Sequence, residues 1–342
     1  MENIEQLSAF YKRRGFIGRL FGGYVFLEKN FRTLLRVGSY VLVPYAILMA
    51  VAMGWLSDTM RDAVSVANGA AWTTPAGGAP AAIMGQIAVP AAVCCLISLV
   101  GMCIWQALSF GMFRKYVELG YVPSLKMKAW FTGITRDVWR YFLLLLFLLF
   151  FWAVVTALLY MLVTVNRWLG LVMLPVMLYC SVIFLLFPYF YMMERETLWD
   201  AFLHAFRRGT PAWSTTFSIA LVTGIIVGIF TLICSMPMYI TAIVDNLVAK
   251  GAMDGNVSDL PSYYSLLKVG CYAICLYAGA LAMLFVEAPL LIHYGSVVAP
   301  DKEKMLADAR AENERLKAER ARQAAEKERE AAIRDGAAYR PW

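Results

Sequence analysis

The sequence predicts an all-α, polytopic membrane protein with six transmembrane helices, and three observations support this prediction. Hydrophobic residues make up 61% of the 342 residues and charged residues only 16%, which excludes an ordinary water-soluble globular protein. Apolar runs of about 20 residues, the length that crosses the hydrocarbon core, lie at approximately 37–57, 86–108, 141–165, 169–191, 216–240 and 269–291. None of these runs alternates polar and apolar residues as the strands of a membrane barrel would.

The first run, VGSYVLVPYAILMAVAMGWLS, is longer than the apolar core of a cleavable signal peptide. It follows 36 residues that contain seven Lys or Arg. We therefore interpret it as a retained helix. The predicted organisation is a basic, amphipathic N-terminal segment at 1–36, a six-helix transmembrane domain at 37–300 and a charged helical tail at 301–342.

The distribution of positive charge predicts the orientation. Lys and Arg accumulate in short loops on the cytoplasmic side of a membrane. Sixteen lie in the segments before helices one, three and five, against four in the loops on the opposite side. Because the number of helices is even, both termini are predicted to be cytoplasmic.

Two connections differ in kind. Residues 57–86 are rich in Ala, Gly and Pro and show no periodicity, which predicts an irregular external loop with at most one helical turn. The short stretch NRW at 166–168 is typical of a minimal turn, so helices three and four should be antiparallel neighbours.

Between helices four and five the chain reads RETLWDAFLHAFRRGTPAWSTTF, residues 195–217. At 100° per residue this segment places apolar side chains on one broad face: Leu198, Trp199, Ala201, Phe202, Leu203, Ala205 and Phe206. Asp200, His204, Arg207 and Arg208 take the other face. About eleven residues are too few to cross the membrane. We therefore expect an interfacial elbow, a short helix from Leu198 to Arg208 that lies flat in the headgroup layer and ends at Thr210-Pro211.

Related aromatic and basic segments precede the other odd-numbered helices, at FIGRLFGGYVFLEKNFRT and KAWFTGITRDVWRY. One interpretation is a threefold repeat of an elbow plus a transmembrane hairpin, with all three units inserted in the same orientation. The alternative is that positively charged loops and interfacial aromatic residues produce this similarity in any membrane protein.

The order of these features resembles a group of bacterial six-helix proteins that includes the membrane domain of glycerophosphoryl diester phosphodiesterases and the YciC-like envelope proteins. The similar residues are listed in chain order: Pro188, Glu194, Ala201, Phe202, Ala205, Trp213 and Thr215. The resemblance covers approximately residues 16–300 and implies the fold and a bacterial inner-membrane location. It does not imply phosphodiesterase activity, because no catalytic domain is present in this sequence.

The sequence offers little for catalysis. Two histidines, His204 and His293, are too few for a metal site of the ordinary type. No nucleotide-binding, metalloprotease or hydrolase motif occurs in the sequence. The seven cysteines fall inside the apolar runs, as expected for small buried hydrophobic residues. We expect no catalytic site, no metal site and no cofactor.

Three features within the predicted spans could carry function or packing. Glu287 lies in helix six, two residues before Pro289, where it would either face the bundle interior as a proton or cation acceptor or reach cytoplasmic water or an elbow arginine. Lys268, at the outer end, is expected to extend to the headgroups. Gly224 and Gly228 form a G-x-x-x-G pattern that permits close helix approach, most often within one chain.

The tail from Asp301 has eleven Lys or Arg against ten Asp or Glu and almost no large apolar residues. Charge pairs four residues apart favour a solvated helix, for example Arg310 with Glu314 and Arg322 with Glu326. The tail could also bind a protein partner or itself. Its nearly balanced charge argues against nucleic acid.

Two functional hypotheses follow. The first is a non-enzymatic membrane protein that organises or assembles envelope components through its elbows and tail, with the lipid bilayer as a partner and an undefined oligomeric state. The second is a transporter or channel for a small or lipid-like substrate that uses Glu287 and the helix-breaking prolines Pro44, Pro175 and Pro188. Apolar residues on every face of the spans predict a dry interior.

Overall fold

The computed structural model describes residues 2–70, 79–253, 261 and 263–338. Within these ranges the chain is helical, in the order α1 (Glu2–Phe10), α2 (Phe16–Ala70), α3 (Ala79–Leu119), α4 (Met127–Phe131), α5 (Ile134–Val165), α6 (Arg167–Phe184), α7 (Phe187–Met193), α8 (Leu198–Gly209), α9 (Trp213–Met253), α10 (Tyr264–Ala282) and α11 (Leu284–Ala338). The all-α, polytopic class is therefore confirmed.

Among the described residues, six segments are long and apolar enough to cross a membrane, and each contains most of one predicted run. They are Phe16–Ala63, Gly85–Leu119, Ile134–Val165, Gly170–Met193, Trp213–Val248 and Tyr264–Glu328. Two of the six crossings are broken helices, α6 with α7 and α10 with α11. Pro188 lies in the first turn of α7, where a proline needs no hydrogen-bond partner for its nitrogen, whereas Pro44 and Pro175 lie inside continuous helices.

The spans end in two opposite regions, the terminal end and the loop end. The terminal end is the end at which α1, α8 and residues 297–301 of α11 lie. The Ser296 hydroxyl donates to the Lys12 carbonyl there, and Arg310 donates to the Ser8 hydroxyl, so the two termini share this end. The loop end is the opposite end, where Asp58, Asp245 and Lys268 lie.

The predicted first elbow is wrong as a separate element. α2 runs without interruption from Phe16, and the boundary predicted at residue 37 lies inside it. Phe26, Leu27 and Leu34 are 4% exposed or less, so one face of this segment is part of the packed core. The chain breaks earlier, at residues 11–15, between α1 and α2.

The connection at 57–86 also differs from the prediction. α2 continues to Ala70 and α3 begins at Ala79, and residues 71–78 lie outside the described part of the chain. The alanines that made the segment look irregular are strong helix formers. The turn at Asn166 is confirmed, because its side chain accepts from the Trp168 backbone and caps α6 directly after α5 ends.

The main hydrophobic core occupies the terminal half of the bundle. Its largest fully buried side chains come from α2, α3, α7 and α11: Phe26, Trp105, Phe113, Phe187, Phe190 and Tyr294. α2 and α11 approach most closely at Gly23, where an added Cβ would lie 2.4 Å from the Pro289 nitrogen. A second, small cluster of Met49, Ala52 and Cys94 lies toward the loop end.

The tail is helical up to Ala338, as predicted, and is continuous with the last span. The boundary predicted at residue 301 is therefore not a structural break. Leu306 is only 8% exposed, so the base of the tail packs on the bundle, whereas the side chains described beyond Arg310 are exposed. Residues 301–338 are called the arm below.

Candidate functional site

Glu287 lies in the first turn of α11, directly after the break that separates it from α10. Its Oε1 accepts from Gln106 Nε2 of α3 at 2.6 Å, and its backbone carbonyl accepts from the Tyr189 hydroxyl of α7 at 2.8 Å. Its Oε2 is buried and has no hydrogen-bond partner among the described residues. Of the two interpretations left open by the sequence, the structure places this carboxyl group against the bundle interior, and none of its described partners is an elbow arginine.

Other polar groups of α2 and α3 are also buried without a partner in the described part of the chain. They are the Tyr24 hydroxyl, the Trp105 indole nitrogen and the Ser109 hydroxyl. Buried polar atoms of this kind are uncommon in native structures and mark places where water, an ion or a function completes the site. The interior near Glu287 is therefore more polar than the sequence predicted.

A second polar group lies nearer the terminal end, around His293. The ring is fully buried, with Nδ1 2.9 Å from Arg19 Nη1 and Nε2 2.8 Å from Thr216 Oγ1. Because an arginine can only donate, Nδ1 must accept, so the ring is neutral with its proton on Nε2. His293 thereby positions Arg19 of α2 against α9 and α11, a role that the sequence did not indicate.

Glu194, at the end of α7, accepts from the Tyr294 hydroxyl at 2.6 Å and lies 3.6 Å from Lys302 Nζ. The nearby Tyr11 has a pKa raised to about 12, first because it is buried and second because Glu194 is close. Glu194 therefore joins α7 to both the last span and the base of the arm.

The elbow predicted from Leu198 to Arg208 is confirmed as a helix, α8. The Thr197 hydroxyl caps it by accepting from the Asp200 backbone at 3.2 Å. Arg140 of α5 fixes the turn before it, donating to the carbonyl groups of Tyr191 and Glu196 at 2.8 Å each. α8 ends at Gly209, and α9 begins at Trp213, as the sequence predicted.

The broad apolar face predicted for this elbow divides into two parts. Ala201, Ala205 and Gly209 are buried against the bundle. Phe202 and Phe206 are half-buried and pack on Phe184, with ring centroids 5.9 and 5.6 Å away. Only Trp199 and Leu203 are largely exposed, at 61% and 47%, because the helix presents its small residues and both phenylalanines to its neighbours.

The basic residues of α8 line a cavity of about 530 Å³ at the terminal end. Arg207 and Arg208 contribute to it from α8, Arg19 from α2, and Val297 and Asp301 from α11. Arg208 lies 2.8 Å from Asp301, which connects the elbow to the base of the arm. His204, also at the cavity, is held by Glu196 at 2.8 Å.

Lys268 is buried, and the prediction that it extends to the headgroups is wrong. Its Nζ lies 2.8 Å from Asp245 of α9 and 3.0 Å from Asp58 of α2, while only 4% of the residue is exposed. Arg61 approaches Asp58 at 3.7 Å. The two carboxylates hold the lysine inside, because a paired charge avoids the penalty of an isolated one.

The G-x-x-x-G pattern in α9 is not a contact within the chain. An added Cβ at Gly224 or Gly228 would meet no atom within 4 Å in the described structure, and both residues are exposed. The expected packing inside one chain is therefore wrong for this part of the bundle, while association between protomers stays a prediction.

No three His, Cys, Asp or Glu side chains converge within the described ranges in a way that could hold a metal ion. The polar groups of the described bundle include those around Glu287, around His293 with the arginine cavity, around Glu194, and around Lys268. Comparisons of the chain with protein-family models, curated proteins and solved structures find no match.

Proposed function

We propose that this chain is a non-enzymatic organising or assembly protein of the bacterial inner membrane, with both termini in the cytoplasm. The continuity of α11 carries the proposal. One helix begins in the bundle core at Leu284 and continues through Pro300 to Ala338, so the arm is continuous with the last span. At 1.5 Å per residue the arm extends for about 55 Å.

The base of the arm is fixed from several sides. Arg208 of the elbow pairs with Asp301, Lys302 approaches Glu194 of α7, and Arg310 donates to Ser8 of α1. These contacts join the arm to three separate elements at the terminal end. A helix held in this way presents its exposed charges in a fixed position, which suits the docking of a protein partner.

The orientation rests on the distribution of charge. The terminal end carries the basic segments that are expected to stay in the cytoplasm. In this arrangement the elbow α8 lies in the cytoplasmic headgroup layer, with Trp199 and Leu203 directed to lipid. The resemblance to six-helix bacterial envelope proteins agrees with this location.

Proximity labelling in native membranes tests the organising function. The full chain is compared with a chain that ends at Pro300, and with a control in which the order of residues 311–338 is scrambled so that length and composition are kept. We expect a set of labelled proteins that the full chain alone enriches. An identical set for all three chains would contradict docking through the arm.

A transporter is the second candidate, because Glu287 has a buried oxygen without a partner in the described residues. Gln106 is neutral, so it could remain the hydrogen-bond partner of the carboxyl group in both of its protonation states. Proton or cation flux into liposomes that contain the protein would fall in Glu287→Gln if this candidate is correct. Equal flux for both proteins, or flux no greater than in empty liposomes, would exclude it.

A further inference from the structure

The arginine cavity at the terminal end combines cationic and apolar groups in a way that no part of the organising function requires. Three arginines line it, Arg19, Arg207 and Arg208, against a single carboxylate, Asp301. The fourth basic residue at the cavity, His204, is already held by Glu196. The cavity therefore has an excess of positive charge.

Two of the three arginines, Arg19 and Arg208, are held in place by neighbouring residues. Arg19 is fixed by His293 on one nitrogen, and its Nε donates to the Arg14 carbonyl at 2.7 Å. Arg208 is fixed by Asp301 and lies over the Phe190 ring. Arg207 is exposed and has no carboxylate within 4.0 Å in the described part of the chain, so its guanidinium is available to a ligand.

We propose that this cavity binds the phosphate of an anionic phospholipid headgroup. Guanidinium groups match the geometry of phosphate oxygens, and basic cavities between transmembrane helices commonly hold such headgroups. The volume of about 530 Å³ lies in the range of small-molecule sites.

The position of the cavity favours a lipid over free phosphate as the source of that group. Thr215, near the start of α9, lines the cavity, and the nearby Trp213 stacks on Tyr179 at 5.5 Å as an interfacial aromatic residue would. Pro211, Ala212 and Val297 add an apolar wall beside the arginines. On the same elbow Trp199 and Leu203 are exposed, so acyl chains would meet apolar side chains.

Native mass spectrometry of the full chain from detergent tests the proposal. The probes are phosphatidylglycerol, phosphatidylcholine and inorganic phosphate at equal concentrations. We expect phosphatidylglycerol to bind and the other two to bind at least about tenfold more weakly, since the site requires both an unbalanced negative charge and an acyl chain. Equal binding of inorganic phosphate would overturn the lipid source, and equal binding of phosphatidylcholine would overturn the charge recognition.

Substitutions of Arg207 and Arg208 test whether the lipid binds in this cavity. Arg207→Gln together with Arg208→Gln should weaken the binding of phosphatidylglycerol by about 25-fold, at roughly fivefold for each arginine. Arg136→Gln is the matched control, because Arg136 is exposed at the same end and does not line the cavity. If the double variant does not fold, Arg207→Gln alone should weaken binding about fivefold. Binding unchanged in Arg207→Gln would overturn the assignment of the site.

Discussion

In the terminal half of the bundle, aromatic rings from α2, α3, α7 and α11 interlock, whereas in the loop half one buried lysine joins three helices. Phe26, Phe113 and Phe187 are less than 2% exposed in the first region. The second region has a small apolar cluster and the group of Lys268, Asp58 and Asp245. Lipid tails are as apolar as leucine, so helices in a membrane associate through close packing and polar contacts. The loop half depends on polar contacts, whereas the terminal half combines close packing with polar contacts such as the one between His293 and Thr216.

We therefore expect substitutions that change side-chain size to destabilise the terminal half, and substitutions that remove a charge to destabilise the loop half. Close packing in the terminal half keeps its helices in fixed positions and supports the arm. The loop half lacks that wide core, so its integrity depends on the ion pairs of one residue.

The largest effect is expected at Lys268. Lys268→Met leaves the half-buried Asp245 without its cation, which should lower the free energy of unfolding by about 3 kcal/mol, the lower end for a buried pair. Unfolding by denaturant in detergent micelles measures this loss. Lys268→Met combined with Asp245→Asn should restore most of the stability, since no isolated charge remains. Equal stability of the single variant and the original chain would show that the ion pairs do not hold the loop half.

Close approach in the terminal half is tested at Gly23. Gly23→Ala places a Cβ against the Pro289 backbone, and we expect a loss of about 1 to 3 kcal/mol from overpacking. Gly224→Ala is the matched control, because an added Cβ there meets no atom within 4 Å in the described structure. The same unfolding assay should place the control at or above the stability of the original chain. Equal losses for both variants would indicate a general effect of removing a glycine.

The outer surface of the elbow provides a smaller, specific effect. Trp199→Asp with Leu203→Asp removes only the exposed apolar side chains and should reduce the amount of correctly inserted protein. Asp200→Ala with His204→Ala should reduce it less, since that pair lies on the polar face. Membrane yields measured by quantitative immunoblotting compare the two. Similar yields would show that α8 lies in water and not in the headgroup layer.

The smallest effect is expected from Tyr11, and only in alkali. Its pKa rises from 10.0 to about 12 in the folded chain because burial and Glu194 disfavour the phenolate. The contribution of Tyr11 to the stability of the folded chain is complete below pH 10. It is lost as the pH rises from about 10 to about 12, because the tyrosine of the unfolded chain releases its proton first. Hydrogen exchange of α1 should therefore accelerate in this interval in the original chain more than in Tyr11→Phe. The same acceleration in both would assign the change to other groups.

Sequence reasoning succeeded where the signal is local. The length of each apolar run, the minimal turn at 166–168 and the helical periodicity from Leu198 to Arg208 all depend on neighbouring residues. The partners of Lys268 could not be found in this way, because Asp58 and Asp245 belong to two other spans. The same holds for Gln106 and Glu287.

The continuity of α2 and α11 was missed for a different reason. Basic residues near Phe26 and Leu34 suggested an interfacial segment, yet one face of this helix is buried in the core. For α11, the change from apolar to charged composition at residue 301 suggested a domain boundary. The composition changes there, but the helix continues through Pro300.

The central claim is that the arm is a rigid continuation of the packed terminal half. It is tested most directly by the distance between spin labels at Leu203 on α8 and Arg320 on the arm, both exposed, measured by pulsed electron paramagnetic resonance in lipid nanodiscs. For a rigid arm we expect a single, narrow distance distribution that broadens when Arg208→Gln removes the contact with Asp301. A broad distribution in the unaltered arm, unchanged by Arg208→Gln, would contradict it.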